Sequence, residues 1–288
     1  MLITDRKAVT NISSVRGWRK EMIRHYPKAL MVLLSCLFHL LANGQVPTAS
    51  GTCVIVLRTA HMALLAADTR TTVESETVTR INTCKIHVMD SVTILAAAGI
   101  TESGKDFNVA GIAQQAYRPG DRITQIADRF AVLLRPALKR IAARDKRAND
   151  SLFTRRYSNK EVCQTIFVRF EDDTVKTAQR GFEIVDGGRG EISVRTVSVD
   201  CPPDCMSDYF VSYFGVHDDI RPFTEQHRSI FSDSGFVKAA ALLLNMESAH
   251  HPDDVGPPYN MVMLNKDGIT WLWRDPCCQE NENWQNGR

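Results

Sequence analysis

The order of strands and helices after residue 52 is the feature that most constrains the fold of this chain of 288 residues. Runs of β-branched and apolar residues predict two strand pairs first, 52–59 with 62–68 and 77–88 with 92–98. Helices are predicted next over 104–117 and from Asp121 onward, and a third helix over 235–250. The remaining strands are predicted at 162–170, 174–185, 190–199, 208–216, 259–265 and 269–273.

Separate runs of strands with helices between them are typical of an α+β fold rather than of parallel βαβ units. The helix from Asp121 supports this interpretation, because apolar residues recur along it at i, i+3, i+4 and i+7 and mark one buried face. Pro136 predicts a kink in this helix, and the charged stretch 144–156 predicts its solvated end and a loop. We therefore expect two stacked antiparallel sheets whose outer faces are covered by helices.

An apolar run of 14 residues at 29–42 follows a basic segment and leads into small and polar residues. Because a bilayer-spanning helix needs about 20 apolar residues, the run is short for an anchor and typical of a secretory signal, the alternative being a buried helix. Cleavage after Gly44 would leave a propeptide, Gln45–Gly51, whereas cleavage after Gly51 would expose Thr52 at once. The predicted organisation is a signal with or without a propeptide at 1–51, one domain at 52–275 and a polar tail at 276–288.

The formal net charge of +2 is unevenly distributed along the chain. Residues 1–28 carry five more basic than acidic side chains, residues 29–51 carry no Lys, Arg, Asp or Glu, and residues 52–288 carry a net charge of −3. Because the body is mildly acidic, the sequence argues against a nucleic-acid partner. Removal of the signal would also remove the apolar run, so no membrane association is expected afterwards, and the predicted location is secreted or periplasmic.

The predicted export implies that most of the cysteines are paired, because an oxidising compartment favours disulfides. Cys201 and Cys205 have a spacing that zinc sites use, but no second pair matches them, so we expect no zinc there. Without Cys36 the count is odd, which leaves at least one thiol free or paired with another chain. The seven remaining cysteines are Cys53, Cys84, Cys163, Cys201, Cys205, Cys277 and Cys278.

Four short motifs follow one another in the first half of the body: Gly51-Thr52, Ala66-Ala67-Asp68-Thr69-Arg70, Lys85-Ile86 and Ala97-Ala98-Gly99. With these motifs in this order, the chain resembles the N-terminal nucleophile hydrolases of the proteasome β-subunit type. Thr52 and Asp68 are sixteen residues apart, as in that family, whereas Lys85 falls one residue late. The resemblance covers 52 to about 145 and about 235 to 273, and it implies a four-layer αββα sandwich.

A threonine hydroxyl is a poor nucleophile at neutral pH, so this chemistry needs a base beside it. A free α-amine on the same residue has a pKa of about 7.7–8.0 and can take the proton, provided that the mature chain begins at Thr52. Lys85, held by Asp68, would favour the neutral amine, and the N–H of Gly99 would donate to the oxyanion. The resemblance thus implies hydrolysis of a peptide or amide through an acyl ester, with no cofactor and no metal, in a homo-oligomer.

The resemblance weakens near the C-terminus. Similar proteins carry an aspartate and then a serine followed by two glycines, which help to orient the terminal amine. Here Asp253 is assigned the aspartate role, and the serine is absent from the segment 251–258. A metal held by His250 and His251 with the neighbouring acids is less favoured than compensation of charge at the helix end.

Two other hypotheses remain open at this point. One is a catalytically inactive relative that keeps the sandwich as a structural, assembly or binding module. The other is an acylase in which cleavage one residue later exposes Cys53 as the nucleophile. Since alternate residues of a strand face opposite ways, Cys53 and Cys84 are also predicted to face each other inside the sandwich and to form a disulfide.

Overall fold

The computed structural model describes residues 48–74, 78–103, 107–188, 191–205 and 209–279. All of these residues belong to one compact unit. The predicted signal segment at 29–42 therefore lies outside the described residues. Among those residues, no helix combines the length and the apolar character that a membrane crossing requires.

Fifteen strands are present in the described part of the chain, and they carry most of the fold. They are β1 (Thr48–Ser50), β2 (Cys53–Thr59), β3 (Met62–Asp68), β4 (Arg70–Glu74), β5 (Val78–Asn82), β6 (Ile86–Asp90), β7 (Thr93–Gly99), β8 (Glu102–Ser103), β9 (Phe107–Asn108), β10 (Lys160–Glu171), β11 (Thr174–Gly188), β12 (Glu191–Cys201), β13 (Tyr209–Gly215), β14 (Tyr259–Asn265) and β15 (Gly268–Trp273).

Helices occupy two stretches between these strands. They are α1 (Val109–Ala116), α2 (Ile123–Ala148), α3 (Asp150–Arg156), α4 (Ile220–Gln226), α5 (Ile230–Ser234) and α6 (Phe236–His250). The apolar stripe predicted from Asp121 onward forms the buried face of α2, with Pro136 inside the helix. Arg122 rather than Asp121 is the N-cap of α2, because its backbone N–H donates to Gln125 Oε1 at 2.8 Å.

The strands form three five-stranded sheets. The first sheet has the order β13-β2-β3-β14-β15, and the second sheet has the order β12-β11-β10-β7-β6. A small sheet, β5-β4-β1-β8-β9, is built from the short strands around them. Neighbouring strands are antiparallel throughout, as the sequence predicts for the two large sheets.

The two large sheets are stacked, and helices cover both outer faces. Apolar residues such as Val54 on β2 and Ile166 on β10 pack together between the sheets. On the outer face of the second sheet, residues of α1, α2 and α3 pack on β7, β10 and β11, with Phe130 and Phe167 edge to face at 5.3 Å. On the outer face of the first sheet, α4, α5 and α6 pack on β2 and β3. The predicted four-layer αββα sandwich is thereby confirmed.

Burial on both faces explains why the central strands are apolar without alternation. Every residue of β2 from Cys53 to Arg58 is buried, because one face meets the other sheet and the opposite face meets α6. Such strands cannot be placed on a face from the sequence pattern alone. The sequence therefore predicts their bounds well but says little about which side chain faces which layer.

Three parts of the predicted secondary structure are wrong. The helix expected over 104–117 begins only at Val109, because Phe107 and Asn108 form β9. The strand expected at 77–88 is two strands, since β5 pairs with β4 in the small sheet and β6 pairs with β7 in the second sheet. The chain passes from one sheet to the other at 83–85, where Thr83 N donates to Thr69 O at 2.8 Å. The stretch 144–156, expected to be a helix end and a loop, is instead helical almost throughout, as the end of α2 and the whole of α3.

The disulfides also differ from the prediction. Cys84 is bonded to Cys278, and Cys201 is bonded to Cys205, while Cys53 and Cys163 are buried free thiols. The predicted Cys53–Cys84 bond is therefore wrong. Cys53 packs among the residues that contact α6, on the outer face of the first sheet, rather than between the sheets.

Candidate active site

Thr52 lies between Gly51 and the first residue of β2, and none of its surface is exposed. Its backbone φ is 147°, a strained value for a β-branched residue, and Gly51 before it has a φ of 86°. The Thr52 carbonyl accepts a hydrogen bond of 2.8 Å from Val216 N. Thr52 Oγ1, in contrast, is buried without a hydrogen-bond partner in the described part of the chain. Since buried hydroxyls normally have a partner, strain and an unused polar group coincide at this residue.

Gly215 allows the end of β13 to approach Thr52 closely. A Cβ at position 215 would lie 2.0 Å from the Thr52 carbonyl oxygen and 3.2 Å from Ala98 Cβ. Gly215 N donates to Gln164 Oε1 at 2.7 Å. Because Ala98 and Gln164 belong to the second sheet, the two large sheets meet beside Thr52.

Asp68 ends β3 with a fully buried carboxylate that accepts three backbone hydrogen bonds. Its Oδ1 accepts from Cys53 N at 2.8 Å, and its Oδ2 accepts from Arg70 N at 3.1 Å and from Gly256 N at 3.2 Å. Burial raises the pKa of Asp68 to about 6, although the Lys85 charge and the three N–H groups lower it. Asp68 therefore holds the residue that follows Thr52, and it is fully ionised only near neutral pH and above.

Lys85 is 1% exposed and lies where the chain passes from the small sheet to the second sheet. Its Nζ donates to Thr71 Oγ1, which lies 2.5 Å from Thr83 Oγ1. Its charge acts on the buried Asp68 carboxylate. The structure thus brings Thr52, Asp68 and Lys85 to the same end of the sandwich.

Gly99 ends β7 with a φ of 83°, which favours glycine. A Cβ at this position would lie 2.3 Å from the Val162 carbonyl oxygen, so a side chain there would displace β10. Its neighbour Ala98 is the residue that approaches Gly215 beside Thr52. The backbone therefore requires glycine here, next to the candidate nucleophile.

The loop 251–256 packs against the residues around Gly51. Arg70 Nη1 donates to the Pro252 carbonyl and, at 3.3 Å, to the Val255 carbonyl. A Cβ on Gly256 would lie 2.4 Å from Arg70 Cζ, so the guanidinium fits only because this residue is glycine. Arg70 therefore fixes the loop whose Gly256 N–H group reaches Asp68.

Asp253 is exposed on this loop, and its carbonyl accepts a hydrogen bond of 3.0 Å from Thr72 Oγ1. Asp254 is half-buried, and its carbonyl oxygen lies 3.1 Å from the position of a Cβ on Gly51. The structure thus places Asp253 beside β4 and Asp254 against the residue that precedes Thr52.

Residues 48–50, just before Gly51, form β1 in the middle of the small sheet. β1 lies between β4 and β8, and Ala49 is opposite Val73 on one side and Glu102 on the other. An extended segment between two strands can form backbone N–H and C=O hydrogen bonds on both sides. The segment that leads to the Gly51–Thr52 bond therefore lies as a central strand between β4 and β8.

Sequence reasoning assigned no role to Arg70, Thr71, Gly215 or Gly256. Arg70 and Thr71 follow Asp68 almost directly, so a polar run after a buried strand was a usable signal for them. Gly215 and Gly256 are brought to Thr52 and Asp68 from distant parts of the chain, and no local pattern marks them.

A separate cavity of about 580 Å³ opens between β13 and α4. Its lining includes Tyr209, Ser212, Arg221 and Glu225. It contains none of the site residues predicted from the sequence, so the candidate site and this cavity are different places on the fold.

No family model and no curated protein matches the chain. A solved structure described as "Anbu (Gly-1) mutant from Hyphomicrobium sp. strain MC1" is similar to it, with a TM-score of 0.43 and 15% identity. The match covers 82% of this chain and 91% of that chain. A likeness at this level carries no argument about activity, so the functional argument rests on the residues described above.

Proposed function

We propose that this chain is the precursor of a threonine-type N-terminal nucleophile hydrolase that cleaves peptide or amide bonds. The observation that carries the proposal is the buried hydroxyl of Thr52, which lacks a hydrogen-bond partner among the described residues and directly follows Gly51 at a strained φ of 147°. A reactive group is expected to be under-satisfied in the resting fold, because its partner is the reacting atom.

The first reaction is cleavage of the Gly51–Thr52 bond by the chain itself. Thr52 Oγ adds to the Gly51 carbonyl carbon, its proton passes to the amide nitrogen, and the C–N bond breaks to leave an ester on Oγ and a free α-amine. Water then hydrolyses the ester and releases the Gly51 carboxylate. The strained backbone at Thr52 favours this step, since cleavage relieves it.

The new α-amine then serves as the base in turnover. Its pKa of about 7.7–8.0 allows it to take the Thr52 proton near neutral pH. The buried Lys85 ammonium favours the neutral form of this amine. Asp68 positions β2 by accepting a hydrogen bond from Cys53 N. The Gly99 N–H group donates to the oxyanion that forms on the substrate. Asp253 or its neighbour Asp254 orients the amine from the loop 251–256.

Peptides are the substrate class that the small sheet favours. β1 fills the gap between β4 and β8, and its departure after cleavage frees backbone groups on both neighbours. An extended peptide can then add as a strand in the same position. The two disulfides, Cys84–Cys278 and Cys201–Cys205, fit a protein that is exported to an oxidising compartment, secreted or periplasmic.

Cys53 is the weaker candidate for the nucleophile. Burial, together with the charges of Asp68 and Glu247, raises the pKa of the Cys53 thiol well above its ordinary value. A thiolate is therefore disfavoured at this position, and the side chain packs among apolar residues beneath α6.

The test is the intact mass and the N-terminal sequence of chain recovered from the exporting cell, for wild type, Thr52→Ala and Thr52→Ser. We expect wild type to begin at Thr52 and to be labelled there by a threonine-directed electrophile. Thr52→Ala should keep residues ahead of position 52 and hydrolyse nothing, whereas Thr52→Ser should mature slowly, since it keeps a hydroxyl.

Three outcomes would contradict the proposal in different ways. Activity in a chain that retains residues ahead of Thr52 would remove the nucleophile assignment. A wild-type chain that starts at Cys53 would support the acylase instead. A wild-type chain that stays uncut and inert would support the inactive assembly module.

A further inference from the structure

Four side chains with metal-binding chemistry meet where the C-terminal end of α6 approaches the residue before α4. His250 Nδ1 and His251 Nε2 lie 3.1 Å and 3.0 Å from Asp219 Oδ2, and His251 Nε2 lies 3.5 Å from Glu247 Oε1. Of these, Asp219, Glu247 and His251 each offer a ligand atom within 4.8 Å of the other two. The histidines therefore contact Asp219, which is distant in sequence, and Glu247, which lies one helical turn before His251. Neither is one of the neighbouring acids that the sequence suggested as partners.

The buried environment of Glu247 independently points to a ligand at this cluster. None of its surface is exposed, although it carries a carboxylate. Its Oε2 accepts a hydrogen bond of 3.1 Å from Ile220 N, while its Oε1 accepts none in the described part of the chain. A buried carboxylate oxygen without a donor is costly, and Oε1 is the oxygen on the His251 side of the side chain.

We propose that Asp219, Glu247 and His251 bind a small divalent transition-metal ion, Zn²⁺ in the first place. Ligands in a tetrahedral Zn²⁺ site lie about 2.0–2.2 Å from the metal and hence about 3.3–3.6 Å from one another. The separation of 3.5 Å from His251 Nε2 to Glu247 Oε1 falls in that range, and the 3.0 Å to Asp219 Oδ2 would have to open by a few tenths of an ångström around a metal. Imidazole nitrogen in the donor set favours Zn²⁺ over Mg²⁺ and Ca²⁺, which prefer oxygen alone.

The position of His251 connects this metal site with the loop of the candidate active site. The His251 carbonyl accepts hydrogen bonds from Asp254 N at 3.1 Å and from Val255 N at 2.9 Å. Gly256, the next residue, donates its N–H to Asp68. A metal at His251 would therefore fix the start of the loop whose end holds Asp68, and removal of the metal would loosen it.

The test is zinc binding to purified full chain after treatment with a chelator, measured by calorimetry and by metal analysis near neutral pH. Wild type is expected to bind one Zn²⁺ per chain, to gain thermal stability from it, and to bind Mg²⁺ far more weakly. Asp219→Asn and His251→Ala are each expected to lower the zinc affinity by at least about tenfold. Asp218→Asn is the matched control, because Asp218 is the exposed neighbour of Asp219 and lies outside the cluster.

Asp219 is 38% exposed, so Asp219→Asn should fold even if His251→Ala does not. The proposal fails if wild type binds no zinc, or if Asp219→Asn binds it as tightly as Asp218→Asn does. Direct contacts between His251 and the two carboxylates, without a metal, would then explain the cluster. None of these measurements requires hydrolysis, so failure of the metal site and failure of the proposed activity are distinguishable.

Discussion

Arg180 and Lys85 are the two most deeply buried cations in the described part of the chain, and their surroundings differ. Arg180 on β11 is 1% exposed and donates to Asp200 Oδ1 at 2.6 Å, to Asp128 Oδ1 at 2.7 Å and to the Gln179 carbonyl at 2.7 Å. Lys85 is equally buried, but its Nζ donates to a threonine hydroxyl, and the carboxylate on which its charge acts is Asp68.

The two carboxylate environments explain the difference. Asp128 and Asp200 reach solvent, with 70% and 26% of their side chains exposed. Through Arg180, Asp128 ties α2 to the second sheet and Asp200 ties β12 to β11. Asp68 is fully buried, and burial raises its pKa to about 6. Groups with perturbed pKa values cluster at functional sites, whereas a structural ion pair is arranged to satisfy both charges. The comparison therefore supports the proposed chemical role of Lys85 and a structural role of Arg180.

Lys85→Met is expected to have the largest effect. Removing the ammonium leaves Thr52 without the positive charge that favours its neutral amine, while the methionine fills a similar volume. We expect the rates of self-cleavage and of turnover to fall by about 10³-fold, measured by intact mass over time and by peptide hydrolysis. Arg180→Met is the matched control, and it should leave both rates per folded molecule unchanged. Equal losses of rate in the two variants would contradict the distinction between a chemical role of Lys85 and a structural role of Arg180.

Asp200→Ala is expected to change stability rather than activity. It leaves the buried Arg180 guanidinium with only the exposed Asp128 carboxylate, and this should cost about 2 kcal/mol of the free energy of unfolding. Asp128→Ala should cost less, about 0.5 kcal/mol, because its carboxylate is mostly solvated. Urea denaturation of the two variants measures the order, and a larger loss for Asp128→Ala would contradict this description of the cluster.

The pH profile gives the smallest effect. Protonation of Asp68 weakens the three hydrogen bonds that it accepts, so activity should fall about tenfold for each pH unit below its pKa of about 6. Because the folded pKa exceeds the ordinary value of 3.8, the folded chain binds this proton more tightly than the unfolded chain does. Its contribution to stability is therefore present at low pH and is lost as the pH rises from about 4 to about 6. Thermal melts of wild type and Asp68→Asn should diverge across that window and run parallel above it.

The layers of the fold can be predicted from local patterns in the sequence. The strand runs and the apolar stripe of α2 predict the sandwich, and most element bounds agree with the structure within a few residues. The division of 77–88 into β5 and β6 was missed, although the polar residues Asn82 and Thr83 interrupt the run where the partner strand changes. The Cys84–Cys278 bond was missed because it joins residues 194 positions apart.

The candidate site was predictable only where spacing along the chain carries the information. Thr52 directly precedes β2, Asp68 ends β3 and Lys85 directly precedes β6, so each is marked by its spacing and by the strand beside it, and their catalytic roles remain predictions. Gly256 donates to Asp68 across 188 positions of sequence, and no pattern in either segment indicates that contact. Asp219 was missed as a partner of the histidines in the same way, because it comes from the start of another helix. Glu247 lies four residues before His251 on the same helix, so its contact could have been predicted from the spacing.

The strand β1 has a consequence for the regulation of such an enzyme. The segment Thr48–Ser50 occupies the position in the small sheet that we propose for a substrate, so the unprocessed chain would be blocked by a piece of itself. The released leader would then be the first product, and a synthetic peptide of the same sequence would compete with later ligands for that groove. Latency, activation and product inhibition would then all depend on one short stretch of backbone.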